Sequence, residues 1–318
     1  MASPHTPDWL VRYASRGFKF VFYPSGHKHP LGIEGKDWST REYQIDDYKK
    51  GDNVGVLLGT EIAEGRFLAD IDFDWNEGIA QFARRFFPDS GFGFGRTSKP
   101  LSHVFYTTSQ PVVTERYDDI DGQTLVEVRG TKTDGSLGMQ TMVPPSKHPS
   151  GEDLILHADD DLAHDDYVPR AATLYAITCL LYRHLGKQGF THDVRLATAG
   201  FLLGEGLTPD ETIKIGNALL SATENKDVKD VVMTVQTTLK RMQGLQPVSG
   251  RGALIQILGQ EGKKIVARIR KWSGNSEFAS DEKDRVVKDS QANIRIALEK
   301  LKAKLYFCLL YTSPSPRD

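Results

Sequence analysis

The stretch "FLADIDFDW", residues 67–75, constrains the fold more than any other part of the chain. Asp70, Asp72 and Asp74 stand two residues apart, with Ala69, Ile71, Phe73 and Trp75 around them. Residues two apart share one face of a β-strand, so the pattern reads as a strand with a carboxylate face and an apolar face. The apolar face requires a core to cover it. The acidic face requires compensation, because like charges at that spacing repel.

The rest of the chain bounds what can supply these. Its 318 residues are enough for two domains at roughly 150 residues each. The net charge of −2 excludes a globally basic nucleic-acid binder. It leaves room for a local basic groove, since steering depends on the local field. Cys179 and Cys308 are the only cysteines, and no CxxC occurs, which argues against a disulfide framework or a cysteine zinc site. No apolar run reaches the ~18 residues of a membrane span. "MASPHTPDWL" lacks the apolar stretch of a signal peptide, so a cytoplasmic protein with no membrane partner is expected.

Residues 1–165 read as an α/β domain. "TPDWLVRYASRG" is a short helix that Thr6 or Asp8 can cap and Gly17 can stop. "FKFVFYP", "NVGVLLGT", "RFLADIDFD", "SHVFYTT" and "LVEVRG" read as strands, and "MQTMV" as one broken by Pro144 and Pro145. "REYQIDDYKKG" and "NEGIAQFARRFFP" read as helices, and "GFGFGRTSKP" as a glycine-rich loop. Strand patterns then vanish. Helical stretches fill 166–260, with glycines 186, 204, 206 and 244 at their ends, and with an N-cap at Thr208 followed by Pro209 and the acids Asp210 and Glu211 at the positive end of the helix dipole. The boundary is placed at the acidic stretch "HADDDLAHDD". Residues 261–307 read as a basic helix, a linker and a terminal amphipathic helix. The tail 308–318, "CLLYTSPSPRD", breaks that pattern without a cap and resembles translated sequencing-adapter read-through, so it is expected not to be native.

The chemistry concentrates on three strands. Asp70, Asp72 and Glu127 could meet at one edge of a sheet and share hard divalent cations, Mg²⁺ or Mn²⁺, that offset their repulsion. Two such ions form the clamp used in phosphoryl and nucleotidyl transfer. His103, opening a strand, could bind a nucleotide triphosphate, act as a general base, or simply satisfy itself within the sheet. Lys28, Lys36, Arg96, Lys99 and Lys147 are cations on loops that could contact nucleotide or template phosphate, or be solvated surface residues.

In order along the chain, these motifs resemble the archaeo-eukaryotic primase superfamily, specifically the prim-pol domains of phages, plasmids and mobile elements. The resemblance rests on "YASRGFKFVFYPSGHKHPLGIEGKDWST", "NVGVLLG", the DxD pair, "SKPLSH" and "VEVRG…MVPPSKHPSG", and covers about residues 8–155. It implies a mixed, largely antiparallel sheet flanked by helices, followed by an all-α helical bundle. It implies Asp70, Asp72 and Glu127 as ligands of two Mg²⁺ or Mn²⁺ ions. His103, Ser102, Ser98, Lys99, Arg129 and Lys28 would then face the nucleotide, and Arg96 and Lys147 the nucleic acid. "HDVRLATAGFLLGEGLTPDE" onward resembles the helical module that follows such domains, with Arg195 and Arg241 as further nucleic-acid contacts. The implied activity is template-dependent primer synthesis and extension on single-stranded DNA, from dNTPs or NTPs, with a fused or separate helicase as partner. Two departures stand out: the segment before His103 reads "SKPLSH" where small residues are usual, and the third acid is Glu rather than Asp. A metal-dependent nuclease and a non-catalytic replication-initiation module remain alternatives. Asp74 has no assigned role.

Overall fold

The computed structural model describes residues 6–30, 38–185, 189–223 and 228–274. Lys36, the expected linker, the terminal helix, Cys308 and the tail 308–318 lie outside the described residues. Two compact units are distinguished: Met1–Arg195 with Ile213–Met233, and Leu196–Thr212 with Thr234 onward.

The first unit opens with α1 (Asp8–Ser15) and β1 (Phe20–Tyr23). Then follow β2 (Asn53–Leu57), β3 (Glu61–Ala63), β4 (Arg66–Phe73) and α2 (Asn76–Phe86). The remaining strands are β5 (Phe92–Arg96), β6 (Lys99–Thr108), β7 (Glu115–Asp118), β8 (Thr124–Arg129), β9 (Gln140–Val143), β10 (Leu154–Asp159) and β11 (Ala163–His164). The helices α3 (Val168–Leu185), α4 (His192–Gly204), α5 (Pro209–Ser221), α6 (Val228–Gln243), α7 (Arg251–Leu258) and α8 (Gly262–Trp272) complete the described chain.

Strands β1-β2-β9 form a small antiparallel sheet. A second sheet has eight strands in the order β10-β5-β6-β4-β8-β7, with β3 beside β4 and β11 running parallel to β6. The expected mixed, largely antiparallel sheet with helices, followed by a helical region, is what forms.

Two apolar layers fix β4 between them. On one side, Phe18, Phe92 and Phe105 join a core that also takes in the whole of β1, with ring centroids 5.2–5.8 Å apart. On the other side lies the apolar face of β4. Phe73 packs edge-on to Phe87 and Tyr175, and Phe82 to Tyr182, at 5.2–5.3 Å. Burying one such phenylalanine contributes about 1.5–3 kcal/mol. Helix α2 turns Gly78, Phe82 and Phe86 inward, four residues apart. A Cβ on Gly78 would come within 2.6 Å of the Tyr175 hydroxyl, so glycine there permits the close approach of α3.

Three local expectations change. "REYQIDDYKKG" yields only a 3-10 turn, Ile45–Asp47, closed by a reciprocal Gln44–Asp47 capping box. Tyr48 then leaves as extended chain and packs against Phe22 and Trp9, so tertiary contact overrides helical propensity. The glycine-rich "GFGFGR" is a strand, β5, whose Phe92 and Phe94 are buried. A Cβ on Gly95 would lie 2.3 Å from the Lys99 carbonyl oxygen, so the glycines serve close strand pairing rather than a loop. Much of the acidic stretch expected as a loop at the domain boundary is also paired, in β10 and β11.

In the second unit, Thr208 caps α5 as expected, and the structure adds a reciprocal bond: the Glu211 N–H donates to Thr208 Oγ1 at 3.2 Å and the Thr208 N–H to the Glu211 carboxylate at 2.9 Å. Arg270 pairs with Glu205 at 3.3 Å. No helix of the described residues is long and apolar enough to cross a membrane.

Candidate active site

Strand β4 lies in the middle of the large sheet, and its neighbours set the site by register. Asp72 stands opposite His103 of β6 on one side and Glu127 of β8 on the other. Asp70 stands opposite Phe105 and Arg129. Directly paired residues share a face, so His103, Asp72 and Glu127 form one row, with Phe94 and Arg116 at its ends. The three carboxylates therefore meet at the centre of the sheet, not at an edge as the sequence reading supposed.

Repulsion within this row is offset by protein cations. Asp70 is fully buried, and its Oδ2 accepts a 2.6 Å hydrogen bond from Thr141 Oγ1 of β9. His103 bridges the pair, Nδ1 at 3.0 Å from Asp70 and Nε2 at 3.6 Å from Asp72. Arg129 lies on the other side, at 3.6 Å from Asp70, 3.8 Å from Asp72 and 3.7 Å from Glu127. Its Nη1 donates to Thr141 Oγ1 and its Nη2 to the Gln140 carbonyl, both at 2.9 Å. One such pair near 4 Å is worth about 4 kcal/mol at an effective dielectric of 20, the same order as the desolvation of each ion. One cation could not compensate three acids; besides His103 and Arg129, Arg116 Nε stands 3.7 Å from Glu127 at the end of the row.

The titration directions follow from this crowding. Burial, with the charges of Asp72 and Asp74, pushes the Glu127 carboxyl above its ordinary value against the pull of Arg129. Burial disfavours a charged His103, yet the Asp72 and Asp70 carboxylates outweigh it and hold the imidazole above its ordinary pKa. Phe94 stacks on the His103 ring, centroids 5.0 Å apart and planes 12° from parallel, and so fixes its orientation.

The other residues singled out by sequence separate into groups. Lys99 pairs with Asp74 at 2.5 Å, which gives the third aspartate a partner and takes Lys99 out of the open. Ser102 is buried. Ser98 and Arg96 converge on Glu152, at 2.9 and 3.3 Å. Lys28 and Lys147 are exposed, and their backbones are pinned to the small sheet. The Lys28 carbonyl accepts from Gln140 Nε2 at 3.0 Å, and Lys147 is held at both N–H and carbonyl by the Asn53 side chain, each at 2.8 Å. Arg195 is not brought to this site: it is 6% exposed and bonded to the Phe190 carbonyl and the Asp230 carboxylate, a packing joint. Arg241 belongs to the second unit.

Thr141, Gln140 and Glu152 were missed. Thr141 sits in "QTMV", where alternation sends it to the same face as Val143. That pattern gives no hint of the partner sheet.

Among the described residues no cluster of three His, Cys, Asp or Glu side chains is shaped to close round a metal ion. The donor chemistry fits a hard cation all the same. Asp70 Oδ1 is buried with no hydrogen-bond partner, next to two further carboxylates. Buried carboxylate oxygens are ordinarily satisfied, so this unpaired oxygen is a donor that a hard cation could take.

Residues 10–164 match the family described as bifunctional DNA primase/polymerase, N-terminal. The matched span contains the whole carboxylate row, His103, Arg129 and Glu152. No curated protein and no solved structure matches the chain. Enzymes of this family are DNA primases and polymerases of the nucleotidyltransferase type, generally dependent on divalent metal. The N-terminal domain of this chain thus belongs to the bifunctional DNA primase/polymerase family.

Proposed function

We propose that the chain is a template-dependent primase-polymerase whose centre is Asp70, Asp72 and Glu127. The observation that carries this reading is the buried, partnerless Asp70 Oδ1 beside Asp72 and Glu127 on adjacent strands. These three residues would hold divalent metal, Mg²⁺ or Mn²⁺. When bound, such ions lower the pKa of an attacking hydroxyl and neutralise triphosphate charge. Arg129, which fills the space among the carboxylates, yields that space and turns to phosphate. His103, braced by Phe94 and Asp70, presents its imidazole to the nucleotide. Lys28, Arg96 and Lys147 supply positive charge around the site that the neutral overall balance conceals. Single-stranded DNA serves as template and dNTPs or NTPs as substrates. The helical region after residue 166, with the domain order read from the sequence, assists in holding them.

The test is synthesis on single-stranded DNA with Mg²⁺ or Mn²⁺, with labelled dNTPs and NTPs supplied separately. New product that disappears in Asp70→Ala/Asp72→Ala is the expected result. Loss of template without incorporation would instead show a nuclease. Salt-sensitive binding without synthesis would show a replication-initiation module.

A further inference from the structure

Glu152 is unused by the reading above, yet it holds the turn that follows Arg96, one of the cations assigned to the site. It lies between β9 and β10, and its carboxylate closes on the turn between β5 and β6. Oε1 accepts the Ser98 N–H at 2.9 Å. Oε2 accepts the Ser98 hydroxyl at 2.9 Å, the Ser150 hydroxyl at 3.1 Å and Arg96 Nη1 at 3.3 Å. The same Arg96 nitrogen lies 3.4 Å from His148 Nδ1. Glu152 is itself fixed: its carbonyl accepts the His148 N–H at 2.8 Å, and two residues on the Leu154 N–H donates to Ser146 at 3.0 Å. From the opposite side, Asn76 Nδ2 donates to the Ser98 carbonyl at 3.1 Å.

The turn leads from Arg96 into β6, and so to His103. Burial, and next the charge of Arg96, hold His148 below its ordinary pKa, as expected of a guanidinium and an imidazole 3.4 Å apart. A guanidinium placed this way keeps its position where an anion orders it. A long arginine side chain also gives up about 2 kcal/mol of rotamer freedom when a ligand must order it. A carboxylate that orders Arg96 beforehand removes that cost from binding.

We propose that Glu152 is a positioning residue for the incoming nucleotide: it fixes Arg96 and the Ser98 turn at the head of β6, the strand that carries His103, ready for the triphosphate oxygens. This rests on the polymerase reading. Glu152 touches no reacting atom in it, so its loss acts on nucleotide capture rather than on the chemical step.

The test titrates dATP in steady-state synthesis on a primed single-stranded template with wild type, Glu152→Gln and Glu152→Ala. Glu152→Ala is expected to raise KM about tenfold with kcat within about twofold. Glu152→Gln, which keeps its acceptor oxygen and loses its charge, is expected to fall between. If charge alone mattered, removing an anion would lower KM, and that result overturns the proposal. An unchanged KM does the same, as does a change confined to template affinity. Calorimetric binding of dATP without template separates the two readings. Tenfold weaker binding by Glu152→Ala supports the proposal, and equal binding defeats it. A wild type that binds dATP and makes no product defeats only the polymerase reading, and one that binds no dATP defeats both. If Glu152→Ala does not fold, Glu152→Gln and Ser98→Ala carry the same measurements.

Discussion

Two fully buried aspartates, Asp70 and Asp119, each sit between a histidine and an arginine, and they are built to opposite ends. Asp119 has both oxygens engaged. Oδ1 takes the Ile120 N–H and His184 Nε2, the latter at 2.7 Å, and Oδ2 takes Arg183. Arg183 also reaches Asp121 at 2.8 Å and lies over the Trp75 ring. This cluster ties the end of α3 to the β7–β8 turn, and its charges are spent on one another. Asp70 has one oxygen engaged and one left without a partner, and its arginine stands back at 3.6 Å. The Asp119 cluster closes on itself, whereas the Asp70 cluster leaves one carboxylate oxygen without a hydrogen-bond partner.

The sharpest way to break this comparison is to neutralise each aspartate in turn. Asp70→Asn is expected to cut synthesis at least about a hundredfold while shifting unfolding free energy by about 1 kcal/mol or less. Asp119→Asn is expected to do the reverse. It leaves Arg183 without its main partner, costs about 3 kcal/mol in a denaturant melt, and spares activity per folded molecule. If Asp70→Asn unfolds the chain and Asp119→Asn does not, the contrast is wrong.

Acid sharpens it. Burial raises the Asp119 carboxyl, but the His184 hydrogen bond, the Ile120 N–H and the Arg183 charge outweigh it and hold its pKa below the ordinary value. A carboxyl depressed on folding stabilises fully above its unfolded pKa of about 3.9 and loses that contribution as pH falls through the folded value. Chemical melts between neutral pH and about pH 2 should therefore show a stability loss in wild type that is shallower in Asp119→Asn. Equal slopes would contradict the assignment.

A smaller effect is expected from Thr141→Val, which keeps shape and removes the hydroxyl joining Asp70 and Arg129. A stability loss of about 1–2 kcal/mol should come with a fall in synthesis, measured together on one preparation. Asp74→Asn should matter least. Its pair with Lys99 is partly exposed, with side chains 32% and 14% accessible, so about 0.5 kcal/mol and unchanged activity are expected.

The alternation of "FLADIDFDW" made β4 legible, and with it which aspartates share a face, because period two is a local property. Glu127 and His103 were legible only as residues on other strands; their meeting at Asp72 depends on register, which the connections through α2, β5 and β7 decide. The repulsion was answered in the sequence reading by metal alone. The structure adds Arg129 and His103, and nothing local in "VEVRG" shows that Arg129 reaches across to the small sheet. Strand β5 was hidden because its glycines signal turns locally, whereas here they serve backbone packing against β6. Asp119 left no signal, since its partners lie more than sixty residues on.

Thr141 and Gln140 belong to the three-stranded sheet, while Asp70 and Arg129 belong to the eight-stranded one. The site is therefore sewn across the seam of the domain rather than printed on one of its walls. A chain in which the small sheet has come loose would keep every strand of the large one and still lose the arrangement of its carboxylates. Activity then reports the closure of that seam, and should fade under mild denaturant before the bulk of the β-structure does.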